Sequence, residues 1–188
     1  MRLSILILLS LLAGGCALSP QQVNLNPEIT PAKEAPYLRG SVAVTVFDGR
    51  NNKVLGSRGG AYANSSKLTL ANDFNESISR EAERVLQSFG LEIDNQNPLL
   101  TFNIFLEELN YRVPDGSYVT QVDLDAGLRV EIIKGNRTYR GQYQAQSQHR
   151  VVSAPDEEKN EMLINEVVNS ALSRMLSDRS LLDFLSTP

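Results

Sequence analysis

The chain has 188 residues, with 18 Lys and Arg against 22 Asp and Glu, which gives a formal net charge of −4. This mildly acidic balance, without a basic cluster, excludes the electrostatic footprint of a nucleic-acid-binding protein or of one attracted to anionic headgroups. A single cysteine excludes an internal disulfide.

The first 15 residues have the pattern of a secretory leader. Arg2 supplies a positive start, residues 3–12 are mostly apolar, and the small residues 13–15 precede Cys16. The apolar run is shorter than the roughly 20 residues of a membrane-spanning helix. Residues 1–15 are therefore predicted to be a signal peptide.

The sequence Leu-Ala-Gly-Gly-Cys at residues 12–16 resembles a bacterial lipobox, although Ala13 stands where that pattern usually has Leu. The resemblance implies that Cys16 becomes the first mature residue and carries lipid on its sulfur and its amino group, with palmitate as a typical acyl chain. Each buried CH₂ contributes about 0.8 kcal/mol, so several chains hold a protein firmly in a bilayer. The alternative is a secreted periplasmic protein with a chance cysteine near its cleavage site.

The residue after the cysteine bears on which membrane is reached. Lipoproteins kept in the inner membrane typically carry Asp there, and this sequence has Ala17. By that resemblance we expect the periplasmic face of the outer membrane.

Residues 16–38 are predicted to be the lipidated cysteine and a proline-rich tether. Proline at this density interrupts helices and central strands, and about 22 extended residues reach on the order of 70 Å. Val23, Leu25 and Ile29 are expected to dock part of this segment on the domain. The tether's prolines are Pro20, Pro27, Pro31 and Pro36.

Residues 39–188 are predicted to form a single α+β periplasmic domain. Apolar and polar residues alternate in residues 41–47, 100–106, 122–132 and 139–145, which predicts strands; residues 53–57 are predicted to be a further short strand with Val54 and Leu55 as its apolar content. Helical spacing of apolar residues predicts helices at 73–89 and 155–177 and a short one at 180–185.

The ends of the first helix carry their own signals. Asp73 or Asn72 suits its N-cap, and Gly90 fits the left-handed position that ends a helix. Strands with one polar face need helices on the other face only. The predicted fold class is therefore α+β, a two-layer sandwich whose mainly antiparallel sheet carries two long helices packed on one face.

The order of these features resembles one protein family. The lipobox cysteine and the proline-rich segment are followed by the strand and turn of residues 42–50, the helix ending in Phe89-Gly90-Leu91, and the strand of residues 100–106. This order is similar to that of the YajG-type family of uncharacterised Gram-negative lipoproteins. The resemblance implies a location and a fold, and it supplies no catalytic residues.

Three charged residues are candidates for a surface site. Asp48, Arg50 and Arg58 could form a polar cluster at the end of the first hairpin. The competing interpretation is a turn with an exposed ion pair, which contributes about 0–1 kcal/mol.

Other polar residues have plainer interpretations. Asp123, Asp125 and Glu131 share a strand face and could serve acid–base chemistry or a hard cation, but a solvated sheet face is favoured. His149 is the only histidine and is interpreted as a surface residue at a strand end. The outward stripe of residues 140–148 could dock a partner, with plain solvation as the alternative.

These observations favour a non-enzymatic binding or assembly-accessory protein of the envelope. The sequence predicts no catalytic residue, cofactor or metal site. Its expected partners are the membrane, through the acyl chains, and an envelope protein or a glycan. The alternatives are a subunit of a lipid-transport assembly and a small envelope hydrolase.

Overall fold

The computed structural model describes residues 18–31, 36–59, 63–114 and 121–187. The predicted signal peptide and Cys16 lie outside these residues. Within them the chain forms eight strands and three α-helices. The strands are β1 (Gln21–Val23), β2 (Ser41–Asp48), β3 (Val54–Ser57), β4 (Lys67–Leu70), β5 (Glu92–Ile93), β6 (Leu100–Arg112), β7 (Gln121–Lys134) and β8 (Arg137–Arg150). The helices are α1 (Phe74–Ser88), α2 (Glu157–Leu176) and α3 (Arg179–Ser186).

All eight described strands belong to one mixed sheet built around β6. On one edge of β6, β2 pairs in parallel, with Val42 opposite Leu100, and β3 joins further along. On the other edge β7 pairs antiparallel, and β8 continues the meander. The pairs β1–β4 and β2–β5 are also parallel, whereas β3–β4 is antiparallel.

The predicted α+β class is confirmed, but the mainly antiparallel sheet is wrong. The reason is the connection between β2 and β6, which contains α1. A helix lets the chain return to the end of the sheet where the previous strand began, so the two strands run parallel. The antiparallel expectation holds for the meander of β6, β7 and β8 and for the short pair of β3 and β4.

One face of the sheet is buried. The paired residues Val44 and Phe102, and then Ile132 opposite Phe102, place their side chains on the same inner face. Helix α1 packs over β2, and α2 packs over β7 and β8. The other face, called here the outer face, carries no helix among the described elements.

The helix layer differs from the expected pair of long helices. It holds three helices of 15, 20 and 8 residues. Asp178 caps a separate helix directly after α2 ends, because its side chain accepts the Ser180 N–H. The helix it starts then buries Leu181, Leu182 and Leu185. No helix within the described ranges is long and apolar enough to cross a membrane.

The ends of α1 follow the sequence signals. Asp73 is its N-cap and accepts the Asn75 N–H, while Asn72 has a different role described below. Gly90 follows with φ of +100°, a backbone conformation that glycine adopts without steric cost.

The N-terminal segment is part of the folded domain. We call residues 21–31 the strap. Its first three residues form β1, parallel to β4, and contribute buried Val23, while Leu25 and Ile29 are buried further along it. Within the predicted tether of residues 16–38, the chain contacts the domain from Gln21 onward.

Candidate functional site

Asp48 and Arg50 form the polar cluster that the sequence suggested. Asp48 ends β2, and its two carboxylate oxygens accept hydrogen bonds from Arg50 Nε at 2.9 Å and Nη2 at 3.0 Å. Lys53 Nζ donates to the same carboxylate. This paired geometry is the strong form of an Arg–carboxylate interaction.

Both carboxylate oxygens of Asp48 are paired with cationic side chains. Burial alone would raise the pKa of Asp48, but the hydrogen bonds from Arg50 and Lys53 outweigh it and lower the pKa to about 2. The Arg50 side chain is only 5% exposed, and its guanidinium carbon lies 5.0 Å from the centroid of the Phe74 ring. A carboxylate this strongly ionised and paired is unsuited to proton transfer, so the cluster stabilises the β2–β3 turn.

Arg58 has a different set of partners and links two segments that are distant in the sequence. It is buried, and its guanidinium donates from Nη1 to the Ser19 carbonyl and from Nη2 to the Pro155 carbonyl, both at 2.8 Å. These contacts join the start of the described chain to Pro155, which precedes the N-cap residue Asp156 of α2. The structure thus brings together two of the three candidates and gives the third a structural role.

The strand carboxylates are also paired. Asp125 lies 2.8 Å from Arg112, and Glu131 lies 2.7 Å from Arg140. Asp123 accepts from the amide of Gln121. Across the described residues, no three His, Cys, Asp or Glu side chains are grouped so that they could hold a metal ion.

His149 is at a strand end but not on the open surface. It pairs with Val122, which is fully buried, so its ring lies on the inner side of β8. Its side chain is 24% exposed, and Nε2 lies 4.0 Å from a Glu166 oxygen without a hydrogen-bond partner. The expectation of a surface histidine is therefore corrected, because the alternation along β8 turns position 149 inward.

The outer face has an ordered aromatic and cationic row. Phe47 and Phe105 stack with ring centroids 4.8 Å apart, and the Arg129 guanidinium carbon lies 3.7 Å from the Phe105 centroid. In the sheet register Gln142 of β8 continues this row. We call these four residues the outer-face row. The polar stripe of residues 140–148 thus borders an aromatic pair, a proximity that is not evident from the sequence.

The strap is held by a ladder of side chains from α2. The N–H of Asn24 donates to Glu161 at 2.8 Å, that of Asn26 to Asn165 at 2.8 Å, and that of Glu28 to Asn169 at 2.9 Å. Two extended residues advance about 6.6 Å and four helical residues about 6 Å, so the two repeats match. Acceptors at 161, 165 and 169, spaced by four, are the sequence signal that could have revealed this contact.

The other edge of the strap is held by residues on the α1 side. Asn72 accepts the Leu25 N–H at 2.8 Å and donates to the Leu25 carbonyl at 2.9 Å. Glu81 accepts the Ile29 N–H, and Arg84 donates to the Ile29 carbonyl. The hydrogen bonds from Arg84 outweigh burial and lower the pKa of Glu81. The strap therefore lies between α1 and α2, bound along both edges.

A second unpredicted cluster joins β8 to α3. Asp178 Oδ2 accepts from Tyr139 at 2.8 Å and from Tyr143 at 2.6 Å, while Oδ1 accepts the Ser180 N–H. Burial would raise the pKa of Asp178, but the tyrosine hydrogen bonds outweigh it and lower the pKa. Burial, followed by the bond to the carboxylate, raises the pKa of Tyr143. Both hydroxyls stay protonated as donors.

Comparison with known proteins gives one family match. Residues 27–186 match a family described as uncharacterized lipoprotein. None of the curated proteins compared with the sequence matches it.

Several solved structures match the chain, one of them with a TM-score above 0.5. Protein XCC0632 from Xanthomonas campestris matches with a TM-score of 0.54 at 8% identity, over 83% of this chain and 92% of that one. Lipoprotein GNA1162 from Neisseria meningitidis matches with a TM-score of 0.30 at 11% identity, over 69% and 95%. The hypothetical protein CT253 from Chlamydia trachomatis matches with a TM-score of 0.35 at 14% identity, over 79% and 96%. The first of these shows a shared fold and nothing about activity.

Proposed function

Because the chain belongs to the YajG-type family of uncharacterised lipoproteins, we propose that it is a lipid-anchored envelope protein, attached through Cys16 and facing the periplasm from the outer membrane. The lipobox-like residues before Cys16 support the attachment. Ala17, in place of the Asp typical of inner-membrane retention, supports the outer membrane.

The protein's role in this proposal is non-enzymatic binding or assembly support. One observation carries it: the candidate carboxylates and arginines among the described residues are engaged in structural contacts. Asp48, Asp125 and Glu131 each face an arginine, and Arg58 binds two backbone carbonyls. General acid–base catalysis instead needs a group whose pKa lies near the working pH and whose proton can reach a substrate.

The outer face is the surface we assign to the partner. Its row combines stacked aromatic rings, a guanidinium and an amide, and Phe47 is 42% exposed. Aromatic and arginine side chains are the residues most enriched where protein partners bind. An envelope protein is therefore favoured, with a glycan as the second class of partner.

The alternatives have less support from the geometry. A lipid-transport subunit needs an apolar groove, but the space between α1 and α2 is filled by Val23, Leu25 and Ile29 of the strap. An open groove of about 510 Å³ beside the strap is lined mainly by Asn and Glu side chains. A hydrolase needs His149 or a strand carboxylate beside an activated nucleophile, and the carboxylates have other partners.

Crosslinking in intact cells tests the partner surface. A photo-reactive phenylalanine analogue replaces Phe47, and the control places it at Met162 on α2, which is 47% exposed and so nearly matched. We expect a discrete adduct with one envelope protein or glycan from position 47 and none from position 162. No adduct from position 47, or equal adducts from both positions, would count against the outer face.

The anchor has its own test. The intact mass of the processed protein should equal the chain from Cys16 to Pro188 plus one diacylglyceryl group on the Cys16 sulfur and one acyl chain on its amino group. A mature N-terminus without fatty acids, or a cleavage elsewhere, contradicts the proposed attachment.

A further inference from the structure

The start of the described chain is fixed to the domain at three successive points. Ser19 is bound through its carbonyl to buried Arg58. Gln21 accepts a hydrogen bond of 2.7 Å from Asn160, which is fully buried, and pairs with Leu68 in the sheet. The chain is therefore held on the domain from Ser19 into the strap.

This leaves little chain between the domain and residue 16. Ser19 is three residues after Cys16, and three extended residues span about 10 Å at most. If Cys16 carries the lipid, as proposed above, the domain lies within about 10 Å of the bilayer surface at the Ser19 end.

The contacts of Arg58 also show which loop lies at the Ser19 end of the domain. Its second contact is the Pro155 carbonyl, so the loop that connects β8 to α2 is beside Ser19. Val152, three residues before Pro155, is fully exposed. Arg150, the exposed last residue of β8, precedes it. An exposed apolar side chain at a loop tip beside a lipid anchor is suited to the interfacial region of a bilayer.

We infer that the domain rests end-on against the bilayer, with the loop of residues 151–154 and its tip Val152 in the interfacial region, and that the strap fixes this pose. The occupant of this surface is the lipid bilayer. The inference rests on the proposed lipidation of Cys16. It places the long strands along the membrane normal, since Lys134 and Arg137 at the far end of β7 and β8 are 13 residues or about 44 Å from the near end.

Fluorescence quenching in vesicles tests this pose with the lipidated full-length protein. Cys16 is the only cysteine and its thiol is consumed by the lipid, so an introduced cysteine can be labelled alone. One variant is Val152→Cys. The control is Leu99→Cys, which is also largely exposed but lies beside Ser41 at the opposite end of the sheet. Each carries an environment-sensitive fluorophore.

The vesicles contain phosphatidylethanolamine and phosphatidylglycerol, with nitroxide on the headgroup or the upper acyl chain. We expect quenching at position 152 to exceed that at position 99 at least about threefold. Inserting 12 Gly and Ser residues after Leu18 adds a coil of about 19 Å and leaves every strap contact in place. This insertion should lower quenching at 152 to the level at 99, while the protein still floats with the vesicles.

The outcomes separate the two proposals. Equal quenching at 152 and 99 in vesicle-bound protein overturns the end-on pose and leaves the anchor standing. Strong quenching at 152 that survives the insertion overturns the role of the strap. Failure of the native protein to float with vesicles overturns the lipid anchor itself.

Discussion

Replacing Leu25 with alanine tests whether the strap is part of the core. The Leu25 side chain is 0% exposed and belongs to the same buried cluster as the sheet residues. The substitution removes three carbons, worth about 2.4 kcal/mol at about 0.8 kcal/mol each, and leaves a cavity that adds to the loss. We therefore expect the free energy of unfolding to fall by about 3 kcal/mol.

The assay is urea unfolding followed by circular dichroism. With a slope of about 2 kcal/mol per molar urea, the midpoint should fall by about 1.5 M. The matched control is Gln22→Ala, an exposed strap position where a change within about 0.5 kcal/mol is expected. A loss for Leu25→Ala no larger than that of the control would mean that the strap is a tether lying on the surface, and the reasoning would be refuted.

Three further predictions concern the clusters and one close approach. Because the folded pKa of Asp48 is lowered to about 2, its contribution is complete above about pH 4 and is lost as the pH falls toward 2. Because the side chain keeps partial solvent contact, this contribution to the free energy of unfolding is about 1–2 kcal/mol. Asp48→Asn should therefore make the free energy of unfolding, measured by urea titration, less dependent on pH between pH 5 and 2. An unchanged pH dependence contradicts this prediction. Gly56→Ala should lower the free energy of unfolding by about 3 kcal/mol or more in thermal melts, since an added Cβ would lie 1.8 Å from a backbone oxygen of β6. The control is Gly49→Ala, where the added Cβ would lie 3.4 Å from the nearest backbone oxygen and the loss should be about 1 kcal/mol or less. Equal losses for the two variants would contradict this prediction. Asp178→Ala removes a helix cap and the acceptor of two tyrosines, so it should cost about 2–4 kcal/mol by urea unfolding, against about 0.5 kcal/mol or less for exposed Asp183→Ala in the same helix. A loss as small as that control would mean that the tyrosine contacts contribute nothing.

Local signals predicted the elements well. Alternation of apolar residues gave β2 from Ser41, and helical spacing with Asp73 and Gly90 at its ends gave α1. What alternation does not contain is the partner of a strand. The parallel pairing of β2 with β6 depends on the path of the chain through α1, which is a long-range property.

The strap shows how a local signal can mislead. Proline removes a backbone donor and therefore argues against helices and central strands. In the strap this has no cost, because Pro27 lies between Asn26 and Glu28, whose N–H groups bind α2. An extended segment held by side chains rather than by a β-ladder tolerates proline where a central strand does not.

The contacts of the candidate site residues also differ in whether they are local or long-range in the sequence. Asp48 and Arg50 are two residues apart, so their contact was visible in the sequence. Arg58 binds carbonyls that are 39 and 97 residues away, and nothing in the pattern around it points to either. Contacts of that separation appear only once the fold is known.

The position of the strap also sets the order in which the chain can fold. Its ladder partners on α2 are 137 to 141 residues further along the sequence. At a synthesis rate of about 5–20 residues per second, those partners emerge roughly 7–28 s after the strap itself. The first segment to be made is thus among the last to reach its place, and until then it remains open to any enzyme that must act on the N-terminus.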